Sequence, residues 1–274
     1  MPDARMCVWL SSPGPLVFGH RGGRGLAPEN TIAAFDRGLA EGVDGLELDV
    51  HLSRDGVPVV IHDADVARTT DAAGRVVALT ASELARLDAG YRFAADAGYP
   101  WRGRGAGVPT LGEVLARYRS TPLIVELKAN SEDLARAAVQ EIVKAGATGR
   151  VCVGSFGFRA LSAARRQAPG LATGSSQKEV RWALFWSWIG WPLRRARYQL
   201  HLVPERRQGL TVVSPRFVRD AHAAGLAVFV WTVDAPADVE RLLDWGVQGV
   251  VTDRPDITVP IVRSRQTRSP GFEL

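Results

Sequence analysis

The stretch 45–63, GLELDVHLSRDGVPVVIHD, decides how the whole chain folds. Leu46, Leu48 and Val50 alternate with Glu47, Asp49 and His51. A strand has period two, so the three apolar residues share one face and the charged ones the other. The Asp55-Gly56 pair is a hairpin turn signal, and a second apolar run follows, ending in His62-Asp63. If Asp55 and Gly56 are the two loop residues, Arg54 opposes Val57 and Asp49 opposes His62. Opposed residues point to one face, so His62 joins the carboxylates. A one-residue bulge would send it to the other face. Two acids inside an apolar strand are costly to bury unless a cation meets them.

Working outward, short apolar runs recur with helical segments between them. The strands fall at 16–19, 44–50, 123–127, 151–154, 171–174, 199–203, 227–231 and 249–252, with a hairpin partner at 57–62. In the first intervening helix Ile32, Phe35 and Leu39 keep helical spacing, Asn30 or Thr31 is its N-cap, and Gly42 stops it. Ser131 caps the helix that ends before Gly146. Alternating strand and helix predicts a parallel sheet. Eight such units in 274 residues favour a closed (β/α)8 TIM barrel over a doubly wound sheet. No GxGxxG run follows the first strand, against dinucleotide binding. Residues 64–110 break the rhythm as a small cap insertion after the second strand's hairpin, with a helical piece from Ser82 to Leu87. The barrel domain spans 1–262, and the polar tail 263–274 reads as loose.

Composition excludes several classes. At 46% hydrophobic and 23% charged residues, the chain is globular. Cys7 and Cys152 form no CxxC pair, so neither a disulfide framework nor a zinc ribbon is expected, and Cys152 reads as a small buried side chain. The N-terminus lacks a signal peptide's apolar run, and no stretch reaches the ~18 apolar residues of a membrane span. The expected location is cytoplasmic. The net charge of +5 is carried almost wholly by arginine, which suits oxyanion recognition or simply reflects genome base composition. No module or lysine-rich patch points to nucleic acid, and the oligomeric state is not legible.

In such a barrel the active site lies at the C-terminal strand ends. His20 ends strand one, Glu47 and Asp49 near the end of strand two, Glu126 and Lys128 at the end of strand three, and Trp231 at the end of strand seven. Glu47, Asp49 and Glu126 make a hard-oxygen site suited to Mg²⁺ or Ca²⁺ rather than zinc. The plainer alternative is that these acids only pair with Arg21 and Lys128. His20 and His62 each close a strand beside charged partners and can act as an acid–base pair. His51 is expected on the hairpin surface, His222 in a structural role, and His201 in a strand where it either faces the mouth or fills the core.

The runs GHRGGRGLAPENTIAAF, DGLELDVHLSRDGVPVVIHD, IVELK, VFVWTVD and GVVTDRPD occur in order over nearly the whole chain. Together they resemble the glycerophosphodiester phosphodiesterase family, TIM barrels related to the phosphatidylinositol phospholipases C. The resemblance implies that His20 and His62 are the acid–base histidines and that Glu47, Asp49 and Glu126 hold one divalent metal. It makes Arg21 a phosphate contact, with Lys128 and Trp231 lining the substrate pocket. The implied reaction splits a glycerophosphodiester into an alcohol and glycerol 3-phosphate. The nucleophile is either a neighbouring hydroxyl of the substrate or water.

The segment WALFWSWIGWPLRRARY, 182–198, stands apart. Trp182, Trp186, Trp188 and Trp191 precede Arg194, Arg195 and Arg197 on the catalytic rim. Tryptophan favours membrane interfaces and arginine attracts anionic lipid, so the segment is either a peripheral membrane contact or an ordinary helix packed on the barrel. Two rival functions follow: a lysophospholipase D-type activity on lysolipids, and a non-catalytic phosphate- or membrane-binding barrel. A pure binder has no need of two titrating histidines.

Overall fold

The computed structural model describes residues 7–190 and 196–268. Strand β1 (Leu16–His20) leads through helix α1 (Ile32–Ala40) to β2 (Gly45–Leu52) and its hairpin partner β3 (Pro58–Val60). After an excursion holding α2 (Ala81–Ala85) come α3 (Leu111–Arg117), β4 (Leu123–Leu127), α4 (Glu132–Lys144), β5 (Val151–Gly154), α5 (Phe158–Gln167), β6 (Ala172–Thr173), α6 (Gln177–Ile189) and β7 (Leu200–Pro204). A small ribbon, β8 (Arg206–Arg207) and β9 (Leu210–Thr211), precedes α7 (Pro215–Ala223), β10 (Ala227–Trp231), α8 (Pro236–Asp244), β11 (Gly249–Thr252) and α9 (Pro255–Arg268).

The parallel strands run in the order β6-β5-β4-β2-β1-β11-β10-β7, and a parallel bridge from Gly174 to Leu200 joins the two ends. The expected TIM barrel is the fold. Leu46, Leu48 and Val50 point outward into the layer between barrel and helices, with Leu123, Val125 and Val153 beside them. The inward residues Phe18, Ile124, Cys152, Leu200, Phe229 and Val251 fill the barrel. A 3₁₀ turn, Val8–Ser11, closes the end away from the carboxylates. Its Trp9 sits 4.9 Å from the Phe18 ring and 5.6 Å from that of Phe229, and its Nε1–H donates to the Arg150 carbonyl at 3.0 Å. Gly249 has no side chain for a packing reason: a Cβ there would lie 2.1 Å from the Phe229 ring.

Thr31 and Ser131 cap α1 and α4 by accepting backbone N–H groups, as their residue types lead one to expect. Several details differ. The hairpin pairs Val50 with Val60 and His51 with Val59, one step away from the two-residue-loop register. Gly56 takes φ +76°, and the Ser53 N–H donates to the Val57 carbonyl, so the loop is Arg54-Asp55-Gly56. Asp-Gly serves that three-residue turn as well as the shorter one. The 64–110 segment has its own apolar cluster, in which Val66, Val76, Leu84 and Val108 pack on Val59 and Ile61.

Residues 263–268, expected loose, continue α9. Val259 and Val262 are buried, Arg263 pairs with Asp44 at 2.7 Å, and Gln266 donates to the Pro15 carbonyl. The polar composition there is the outer side of a docked helix, not a frayed end. Residues 269–274 lie outside the described part of the chain, as do Trp191, Arg194 and Arg195. Among the described residues no helix is long and apolar enough to cross a membrane.

Candidate active site

Parallel strands end at one rim, and their register brings the acids together. Asp49 lies beside Glu126, and Glu47 beside His20. One oxygen from each of Glu47, Asp49 and Glu126 falls within 4.8 Å of the others, and all three residues are buried. Glu47 accepts the Arg21 backbone N–H at 3.0 Å. Asn30 clamps Asp49 from both sides, donating Nδ2–H to its carboxylate and accepting its backbone N–H. Lys128 Nζ lies 3.2 Å from Glu126 and 3.4 Å from Asp49. Arg21 Nε lies 3.2 Å from Asp49, yet its N–H has no well-aligned acceptor.

The two cations do not neutralise three acids. Burial, together with Asp49 and Glu126, holds Glu47 well above the usual carboxylate range. Burial also raises Glu126, against the pull of Lys128. Burial opposes the Arg21 charge, but Asp49, Glu29 and Glu47 outweigh it and raise its pKa. A buried cage of three carboxylates with surplus negative charge and only oxygen donors fits a hard divalent cation. Pairing with Arg21 and Lys128 is therefore real but incomplete.

The two histidines are built alike. His20 Nδ1–H donates to Asp253 at 2.6 Å, and the second oxygen of Asp253 accepts Arg24 Nε–H at 2.7 Å. His62 Nδ1–H donates to Asp63 at 2.5 Å, and Arg68 Nε–H donates to the other oxygen of Asp63. Each carboxylate fixes the tautomer and leaves Nε2 for chemistry. His20 Nε2 stands 3.9 Å from Glu47. Burial lowers the His62 pKa, against the pull of Asp49 and Asp63. His20, Arg21, His62, Lys128, Trp231 and the three acids line one pocket of about 110 Å³.

His62 reaches this pocket although the hairpin register differs from the one that first placed it there. The ladder ends with the bond from the Ile61 N–H to the Asp49 carbonyl, and the chain then turns inward. His51 is not on the hairpin surface: it is buried, and its Nε2–H donates to the His62 carbonyl at 3.0 Å. It thus holds the backbone that carries His62. His201 is buried away from the mouth, with Nδ1 2.9 Å from Ser175 Oγ and its ring against Tyr198 and Phe217. His222 sits on α7 beside Gln248, outside the pocket.

Asp253, Asp63, Asn30, Glu29 and Arg68 also build the site without standing among the expected site residues. Glu29 accepts from Arg21 at 2.8 Å and from both terminal nitrogens of Arg68. Against burial, these arginines hold it down at about 2. A signal existed for Asp253, which directly follows the last strand; that strand must neighbour the first in any closed barrel.

A family model described as the glycerophosphoryl diester phosphodiesterase family matches residues 20–257. A glycerophosphodiester phosphodiesterase from Caldanaerobacter subterraneus is 35% identical over 253 residues, covering 90% of this chain and 98% of that protein. The glycerophosphoryl diester phosphodiesterase domain of a Mycobacterium tuberculosis protein superposes with a TM-score of 0.81 at 28% identity, covering 93% and 99% of the two chains. A phosphodiesterase from Oleispira antarctica, solved in complex with the product sn-glycerol-3-phosphate, gives 0.74 at 27% identity with the same coverage.

Proposed function

Because the chain belongs to the glycerophosphoryl diester phosphodiesterase family and hydrolyses glycerophosphodiesters, we propose that His20 and His62 carry the reaction as an acid–base pair beside one divalent ion, Mg²⁺ or Ca²⁺, held by Glu47, Asp49 and Glu126. The observation that carries this reading is the pairing of two Asp-anchored histidines with a buried three-acid cage around one small pocket. When bound, the ion would act as a Lewis acid on a phosphoryl oxygen. Arg21 and Lys128 line the same pocket and offset the charge that grows on the phosphoryl oxygens. One histidine takes the nucleophile's proton at Nε2, and the other gives a proton to the leaving alcohol oxygen. Trp231 forms an apolar wall that limits water on that side. Asn30 and the Arg21 backbone N–H orient the acids toward the cage.

His20→Ala and His62→Ala are each expected to lower kcat by about 100- to 10,000-fold. Mg²⁺ or Ca²⁺ affinity, read by titration calorimetry, should stay close to wild type. Wild-type turnover in His62→Ala would sink the assignment.

A second reading is favoured by α6, where Trp182, Phe185, Trp188 and Ile189 are exposed. It gives the enzyme a peripheral membrane contact, with Arg194 and Arg195 following in sequence.

A further inference from the structure

Asp63 and Asp253 anchor the two histidines alike, but the arginines behind them differ. Among the described residues Arg24 pairs with one acid, Asp253, whereas Arg68 pairs with two, Asp63 and Glu29. The Arg68 Nε–H donates to Asp63, and its terminal nitrogens donate to the two oxygens of Glu29 at 2.7 and 2.9 Å. The Glu29 oxygen with the shorter bond also accepts from Arg21 at 2.8 Å. One guanidinium therefore joins two arms of the site, His62 through Asp63 and Arg21 through Glu29. A planar fork can meet two carboxylates at once; an ammonium is a point donor.

Arg68 belongs to the 64–110 insertion, and the insertion holds its backbone in place. It sits on a turn between Val66, buried in the insertion's apolar cluster, and Thr70, also buried. The Thr70 hydroxyl donates to the Val66 carbonyl at 2.9 Å, and Arg92 Nε–H donates to the Thr70 carbonyl at 3.3 Å. The Val66 and Val76 N–H groups donate to the Gly74 and Ala64 carbonyls, both at 3.0 Å. The charged ends are more open: the Arg68 side chain is 45% exposed and that of Asp63 33%. Ion pairs this open add little to stability. Their effect falls on orientation, because an Asp63 without its cation has water to turn to, and His62 then loses the acceptor on Nδ1. Glu29 is shared in the same way. With Arg68 taking part of its charge, it leaves Arg21 more strongly cationic toward a phosphate.

We propose that Arg68 is a positioning residue. It holds Asp63 so that His62 keeps its proton on Nδ1 and presents Nε2 to the reacting oxygens. It holds Glu29 so that Arg21 stays aimed at the phosphate with its charge free. The insertion thus supports the reaction through a side chain that does not line the small pocket. This deepens the acid–base reading above and rests on it.

The test uses the whole protein with Mg²⁺. Arg68→Met should lower kcat on glycerophosphocholine by about 10- to 100-fold. It should also weaken calorimetric binding of glycerol 3-phosphate by about tenfold. Asp63→Asn should reproduce the first loss without the second. In ¹⁵N-histidine spectra, at a pH where the rings are neutral, His62 should pass from one Nδ1–H tautomer in wild type to a mixture in Arg68→Met, with His20 unchanged. Arg24→Met should do the reverse. An unchanged His62 tautomer in Arg68→Met overturns the proposal, as does equal disturbance of both histidines, which is what a merely structural role would give. Unchanged glycerol 3-phosphate binding overturns its Arg21 half. If Arg68→Met does not fold, the same readouts on Arg68→Lys decide: the charge stays but the fork is gone, so partial losses are expected and wild-type values overturn the proposal. Wild-type turnover in His62→Ala would strike the acid–base reading instead, and the His62 tautomer in Arg68→Met would still decide the role of Arg68 by itself.

Discussion

His201 shows what separates a core histidine from the two proposed as the acid–base pair. Both kinds sit beside other polar groups, His20 and His201 buried and His62 half-buried, but His20 and His62 have carboxylates on Nδ1, whereas His201 meets a neutral serine hydroxyl and two aromatic rings. Burial therefore drives its pKa down to about 4 from an ordinary 6.5, with only a small opposing pull from Glu179. In the unfolded chain the ring protonates near 6.5; in the native protein it stays neutral to about 4. Between those values the unfolded state binds the extra proton, so stability is full above pH 6.5 and is lost as pH falls toward 4. At about 1.4 kcal/mol per pH unit, that gap caps the loss at about 3 kcal/mol. Urea unfolding of wild type between pH 7 and 4.5 should show this decline, and His201→Gln should show a shallower one. Matching slopes would mean that His201 is not the group responsible. The same comparison explains its ambiguity in sequence: a lone histidine in QLHLV carries no trace of which side of the strand meets the rings of Tyr198 and Phe217.

At the scale of single elements, β11 is squeezed between β1 and β10 and depends on Gly249. A methyl group there would press on Phe229, whose ring is already edge-on to Phe18 at 5.4 Å. Gly249→Ala should destabilise the protein by about 1–3 kcal/mol, read as a lower thermal midpoint. Adding Phe229→Leu should restore part of the loss; simple additivity of the two changes would show that they do not touch.

Strands of four to eight residues with strict alternation, such as Gly45–Leu52, were legible because burial on one side leaves a period of two. The helix caps at Thr31 and Ser131 were legible because their side chains do a fixed job. The β8–β9 ribbon was not, since a pair of two-residue strands has no period to detect and Arg206-Arg207 is exposed. The hairpin register was not, since Gly56 supplies a positive φ to either loop length. His62 survived that error because parity governs only paired residues, and pairing stops at Ile61. Past Val262, helix α9 is not legible because the arginines that pin it to the body of the fold look, in composition, like those of a free tail.

For the whole molecule, alternation and a count of eight strand–helix units were enough to choose a closed barrel. Nothing in the sequence marks the Gly174–Leu200 bridge that closes it, because the β6 ladder is only two residues long. The surface is the remaining open quantity. A net charge of +5 and the exposed rings of Trp182 and Trp188 on one helix suit an anionic lipid surface. Vesicles rich in phosphatidylglycerol should sediment wild type, and Trp182→Ala with Trp188→Ala should weaken that binding by about tenfold or more. Equal and negligible sedimentation of both proteins would end the membrane reading.

The pairing of β1 with both β2 and β11 has a further consequence for how the enzyme comes into being. His20 is made early, but the Asp253 that orients it lies 233 residues downstream. Glu47, Asp49 and Glu126 all come from β2 and β4, in the first half of the chain; the carboxylate on His20 Nδ1 arrives only with the residue after the last strand. A half-synthesised chain thus holds all three proposed ion ligands in its sequence while the proposed acid–base pair still lacks the group that orients His20, which comes only with the strand that closes the ring.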